Sequence, residues 1–403
     1  MRLLLPSLAL LLISSPAAAA TLTVGQGKTF AAPCDAIAAA TPGDVIEVDA
    51  GTYETACKVK VTLTIRGVGG RPVLKAPANI PNQKGILAVE GDGIDFTAEN
   101  LEFTGAAVPD QNGAGIRFQA RDLTVRSCYF HDNQNGILTS PQREVLVETS
   151  EFASNGAGDG YSHNMYIGEA DKFTLRYSWS RSAKSGHLVK SRSHENWILF
   201  NRLTGEGGTQ SYEIDLPNGG KSHIIGNLIQ QDTATENGGM IAFSLEGSKT
   251  PESQVFLVHN TLVNQRPNGT FLNVNADVTK PTIVANNLFL GNGALPSGAT
   301  LAGNTTVTDL AALATELVDP AAYDYHLTPG SSAVDKGTDV AAYLDPVALE
   351  EYLHPLGHSP RSTQGSAPDS GAYEYGNPGG GSGGSGGSGS GGASAGSGGS
   401  DGS

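Results

Sequence analysis

One short pattern returns eight times along the middle of the chain: two or three apolar β-formers, a small polar residue that is often Asn, then more apolar residues. It reads DFTAENLEF, LTVRSCYF, VLVETSEF, FTLRYSWS, WILFNRL, HIIGNLI, FLVHNTLV and TIVANNLF. The equivalent polar positions read as Asn100, Ser127, Thr149, Tyr177, Asn201, Asn227, Asn260 and Asn286, spaced 22 to 33 residues apart. A second series of short strands precedes them, among them GIRFQA, NMYIGEA, GHLVKSR, YEIDLP and MIAFSLEG. Two or three short strands per repeat, with Gly and Asn at the corners, describe one coil of a parallel β-solenoid. Its coils stack about 4.8 Å apart, the ordinary spacing of neighbouring strands. A β-propeller needs about 40–45 residues per blade, which this period does not reach. Stacked corner Asn residues would share side-chain amide hydrogen bonds. Val125, Val147, Leu199, Ile225, Val258 and Val284 are expected to point inward as one apolar column.

The ends read differently. Residues 1–20 combine Arg2, an apolar run interrupted by Pro6 and a small-residue cleavage region, the pattern of a secretory signal. Residues 378–403 are a Gly/Ser tract: 14 Gly and 8 Ser fall among residues 379–403, too little apolar surface to offset the entropy of ordering. A solenoid domain is expected over 21–377. The expected location is secreted, periplasmic or extracellular, as a monomer with no membrane span. The formal charge of −15, from 25 Lys+Arg against 40 Asp+Glu, argues against a nucleic-acid partner.

A solenoid exposes apolar ends and needs caps. FAAPCDAIAAAT, residues 30–41, reads as a short amphipathic helix at the first end. Cys34 and Cys57 lie 23 residues apart, about one coil, and in an exported chain they read as a disulfide. Cys128 occupies an apolar slot and reads as a buried thiol.

PGDVIEVDAGTY followed by LTIRGVGG resembles the opening of secreted right-handed parallel β-helix proteins of the pectate-lyase-like superfamily. DYHLTPGSSAVDKGT and APDSGAYEY resemble their closing segment, so the likeness spans residues 22–376. It implies an all-β right-handed parallel β-helix; the superfamily holds lyases, hydrolases, epimerases and non-catalytic adhesins. HLVKSRSHENWILFNRLTG followed by HIIGNLI also resembles chondroitinase-B-like and alginate lyases. Lys190 matches that family's catalytic lysine. Its next-coil arginine has no counterpart in YEIDLPNGG, and its acidic calcium ligands are replaced by residues such as Ser185 and His187.

Alternation places Leu188, Lys190 and Arg192 on an outward face, with Glu213 and Asp215 on the next coil and Asn164 and Tyr166 on the previous one. By the same parity His187 points inward. Residues 172–192 contain six Lys/Arg and no acid, a local excess that suits an anionic ligand. Together with the resemblance to polysaccharide lyases, this implies an acidic polysaccharide or oligosaccharide as partner, cleaved by β-elimination. In that reading Lys190 is the base, with Arg192 and Lys184 disfavouring its ammonium form by like charge. Arg192 or Lys184 clamps the uronate carboxylate, and Tyr166 or His187 is the acid. Asn164, Lys184, Tyr212, Glu213 and Asp215 would contact substrate. Two alternatives stand beside it: a glycoside hydrolase using the Glu213/Asp215 pair, and a non-catalytic carbohydrate-binding surface protein. The same pair, with Asn218 or Asn164, could hold Ca²⁺.

Overall fold

The computed structural model describes residues 19–344 and 347–377; the signal reading over most of 1–20 and the tail at 378–403 lie outside the described residues. The chain winds through three parallel sheets, a first of 12 strands, a second of 11 and a third of 9. Each coil contributes to the three in turn, and each strand pairs with its counterparts one coil before and after, as Tyr166, Lys190 and Asp215 do in the third sheet. This is a right-handed parallel β-helix.

The interior is filled by columns set by that register. In the second sheet Phe103, Phe130 and Phe152 stack face to face with ring centroids 4.7 and 4.8 Å apart. The corner between the first and second sheets uses two residues with different jobs. One adopts a left-handed backbone, as Asn100, Ser127, Thr149, Tyr177, Phe200, His259 and Asn286 do. The next turns its side chain inward and accepts the backbone N–H of its counterpart one coil earlier. That ladder runs Ser150, Ser178, Asn201, Asn227, Asn260, Asn287, Asn304. The sequence reading merged the two positions: Asn201, Asn227 and Asn260 are ladder residues, while Asn100, Ser127, Thr149, Tyr177 and Asn286 are the left-handed residues beside it.

The expected inward column also needs correction. Val125, Val147 and Val284 lie in the interior cluster, but Leu199, Ile225 and Val258 do not. Their neighbours Ile198, Ile224 and Leu257 take the interior places, while Leu199, Ile225 and Val258 form a second apolar cluster with Val340 and Leu344. The C-terminal segment lies across the outer face of the first sheet, so both faces of those strands are apolar and alternation loses its contrast.

At the N-terminal end, helix Pro33–Ala39 places Ala36 and Ile37 in the core. Cys34 and Cys57 are disulfide-bonded, and Cys128 is a buried free thiol. Burial pushes the Cys128 thiol up to about 12, so it should be inert. The unreduced native protein should take up no water-soluble thiol reagent, and the denatured unreduced protein should take up one equivalent. Labelling of the native protein would place Cys128 outside the core. Reduction should cost at most about 3 kcal/mol in the chain-entropy picture.

Candidate active site

The outward face of the third sheet carries a polar network drawn from four coils, those of Tyr166, Lys190, Asp215 and Glu246. Its central column runs Arg117, Leu138, Tyr166, Lys190, Asp215, Ala242. The Lys190 ammonium lies 2.8 Å from Asp215 Oδ2 and 3.8 Å from Glu246 Oε1. Arg192 donates from Nε to the Tyr166 hydroxyl at 2.8 Å, from Nη1 to Asn218 Oδ1 at 2.6 Å, and pairs through Nη2 with Glu246 at 2.8 Å. Lys190 and Asp215 are only 9% and 5% exposed, so their pairing is shielded from solvent and salt, whereas Glu246 stands exposed on a loop. Burial raises the Asp215 carboxyl above its ordinary range, and the Lys190 ammonium opposes that rise without cancelling it.

Beside this column the corner carries a second row. His163 and His187 stack 4.6 Å apart, and Tyr212 follows on His187 at 5.4 Å. The His187 backbone N–H donates to His163 Nδ1, and the Tyr212 backbone N–H donates to His187 Nδ1. With Nδ1 accepting, the proton of neutral His187 sits on Nε2, 3.2 Å from Asp215 Oδ2. The expectation that His187 points inward is therefore corrected. It precedes strand Val189–Ser191, in the corner, where strand alternation does not apply.

Burial holds both imidazoles neutral: His163 falls well below the ordinary range, and His187, with Lys190 adding repulsion, falls to about 3. Unfolding returns them to about 6.5. The stability this contributes is complete above that value and is lost as pH falls from about 6.5 toward 3. Each such histidine adds a slope of up to about 1.4 kcal/mol per pH unit. Urea midpoints should therefore drop between neutral pH and about pH 4.5, less steeply in His187→Asn. A midpoint that does not move would mean these rings are already charged in the native state.

Three expected site residues, and Leu188 expected on the same face, lie elsewhere. Glu213 is fully buried in the corner, its carboxylate accepting from the side-chain amides of Gln210 at 3.3 Å and Gln231 at 3.2 Å. Burial pushes it well above the carboxylate range, with the Gln210 hydrogen bond opposing. It shares no face with Asp215, because the residue before the strand proper turns inward. For the same reason Leu188 joins the interior cluster, and Asn164 is buried in an amide ladder with Asn155 and Asn133. Lys184 pairs with Asp132.

The donor set does not suit Ca²⁺ either. Glu213 is enclosed by amide donors, Asp215 is committed to Lys190 and His187, and Asn218 to Arg192. Among the described residues no group of three or more His, Cys, Asp and Glu is arranged to hold a metal ion.

The basic run 172–192 also disperses in space. One coil of chain passes all three faces, so Arg176 pairs with Glu148 on the first sheet and Arg181 with Glu151 on the second. Only Lys190 and Arg192 reach the third face. Glu246 follows strand Gly239–Phe243 on a loop, where alternation assigns no face, so the motif MIAFSLEG does not mark it as a site residue.

No family model matches the chain. Among curated proteins it is 25% identical over 197 residues to the phosphoribosylformylglycinamidine synthase subunit PurL of Brucella ovis, a match covering 41% of this chain. The chain spans about a quarter of the length of the curated relatives it matches, 26%. Among solved structures it resembles pectate lyase Pel9A, with TM-score 0.57 and 15% identity over 89% of this chain and 97% of that one. The pectin methylesterase of Aspergillus niger aligns over 83% of this chain and 95% of its own, with TM-score 0.30 and 15% identity. The chain is thus a right-handed parallel β-helix, the fold it shares with pectate lyase Pel9A.

Proposed function

We propose that this chain binds an acidic, uronate-containing polysaccharide along the open face of the third sheet and cleaves it by β-elimination. The observation that carries the reading is the pairing of Lys190 with the buried Asp215, beside an arginine whose acidic partner, Glu246, is exposed. A uronate carboxylate can replace Glu246 at Arg192 and keep its bidentate, charge-assisted contact. Asp215, 2.8 Å from the Lys190 ammonium, is placed to take its proton and leave a neutral amine as base. The amine then removes the C5 proton, that C–H electron pair forms the C4–C5 double bond, and the C4–O bond breaks. The leaving oxygen takes its proton from Tyr166, whose hydroxyl faces Arg192. His187, held neutral, acts as a positioning residue that donates Nε2–H to Asp215; Tyr212 fixes its tautomer.

The likeness to pectate lyase Pel9A supports a carbohydrate-active role through the fold alone. An exported monomer, with helix Pro33–Ala39 closing the first end of the coil stack, belongs to the same reading.

A second reading has its own support. Lys190 with Asp215 and Arg192 with Glu246 already neutralise one another, which suits a surface that binds glycans without cleaving them. A panel of uronate polysaccharides followed by ultraviolet absorbance separates the two. A new unsaturated uronate end marks elimination, reducing ends without absorbance mark hydrolysis, and binding with neither marks the adhesin.

A further inference from the structure

Arg117 stands in the same outward column as Lys190, three strands earlier, with Leu138 and Tyr166 between them. Among the described residues its guanidinium has no ion pair or side-chain hydrogen bond, and its Nε is buried without a partner. It lines a cavity of about 170 Å³ with Gln83, Lys84, Asp110 and Asn112. Of the other charged groups there, Lys84 is ion-paired, and Asp110 is close enough to favour the Arg117 charge. Lys84 is held by Glu90 and Gln119, and Asp110 accepts the Asn112 backbone N–H at 3.1 Å. A buried N–H donor without an acceptor is costly to maintain and calls for an explanation.

We infer that Arg117 is the carboxylate clamp of a distal subsite on this face, one that grips an anionic sugar unit remote from the unit held by Arg192 and Lys190. The inference rests on the reading of the face as a uronate-binding groove. Three strand spacings separate Arg117 from Lys190, about 14 Å. An extended pyranose chain laid along the helix axis advances by about one strand spacing per sugar. The two cationic points are then bridged only by a chain of about four units, with carboxylates on the first and the fourth. Between the two points the Tyr166 ring is half-buried and Leu138 is buried.

The test is competition of oligouronates of graded length against an immobilised polyuronate. It uses the full chain carrying Lys190→Arg, which keeps the positive charge at the centre of the face. Affinity should step up roughly tenfold as the oligomer grows from about three to about four units, the size expected for one charge-assisted contact. The step should vanish in Arg117→Gln and survive in part in Arg117→Lys. A step that persists in Arg117→Gln overturns the assignment, as does smooth length dependence in the parent. Failure of every oligouronate to bind would instead overturn the reading of the face itself. Thermal melts of both variants establish that a lost step is not lost folding.

Discussion

Under the proposed elimination, Lys190→Arg should lose about two to four decades of turnover, the usual range for removing a general base. It is a cleaner probe than Lys190→Ala. The alanine leaves Asp215 buried without its cation, so lost activity could be lost structure. Arginine keeps the charge and can still pair with Asp215, but a guanidinium does not give up its proton at working pH. Asp215→Asn should fall by a similar factor, because a carboxamide cannot take the proton from Lys190. Glu213→Gln should change kcat little, since that side chain lies in the interior corner and faces Gln210 and Gln231. These three variants, assayed for kcat and KM and checked by melting, separate the chemistries. If Lys190→Arg keeps kcat within a few-fold and loses only KM, Lys190 is a clamp and the base lies elsewhere. If Glu213→Gln is the most damaging of the three, elimination by Lys190 is wrong.

The repeat made the fold legible because a solenoid writes its geometry into the sequence once per coil. The spacing of Cys34 and Cys57 located their bridge for the same reason. The column Tyr166, Lys190, Asp215 was legible too, since those three sit within strands where alternation holds. What failed did so where alternation stops. His187, Leu188 and Glu213 lie at the corner before the strand, where successive side chains do not alternate. Leu199, Ile225 and Val258 alternate correctly, but the C-terminal segment covers them, so the outer face reads as apolar as the inner. Ile225→Asp would therefore strand a charge against Leu344 and Val340 rather than inside the coil. The basic run at 172–192 misled because closeness in sequence along a coil is separation around its circumference. Glu246, the partner of Arg192, lies one coil after Asp215, past the end of strand Gly239–Phe243, where alternation no longer tells which face a side chain takes.

Arg361→Met should destabilise the protein by about 3–5 kcal/mol, the usual consequence of stripping one member from a buried ion pair. The side chains of Arg361 and Glu374 are 2% and 1% exposed, with Arg361 Nη2 and Glu374 at 3.0 Å. The guanidinium also donates to the carbonyls of Gly371 at 2.6 Å and Asp369 at 2.8 Å, which shapes the SGAYEY stretch that docks on the coils. There Gly371 donates its backbone N–H to the Asn286 carbonyl at 2.8 Å, and Ala372 donates to Thr261 Oγ1 at 3.0 Å. Tyr373 donates its hydroxyl to the Tyr352 carbonyl at 2.8 Å. Loss of Arg361 therefore leaves a buried carboxylate unpaired and two carbonyls without their donor, and it loosens the packing of Ala372 and Tyr373 against Leu228, Val263 and Leu288. Replacing Glu374 as well, in Arg361→Met/Glu374→Leu, should recover only part of the loss. The stranded charge disappears, but the backbone N–H groups of Gln364 and Asp369, which donate to Glu374 at 3.1 and 3.2 Å, lose their acceptor. Urea unfolding of the two variants and the parent, followed by tryptophan fluorescence, reads this directly. Trp197 lies under the C-terminal segment in the cluster with Val340 and Leu344. A single Arg361→Met variant as stable as the parent would mean that the segment is held by its apolar contacts alone and that the ion pair contributes nothing to its docking.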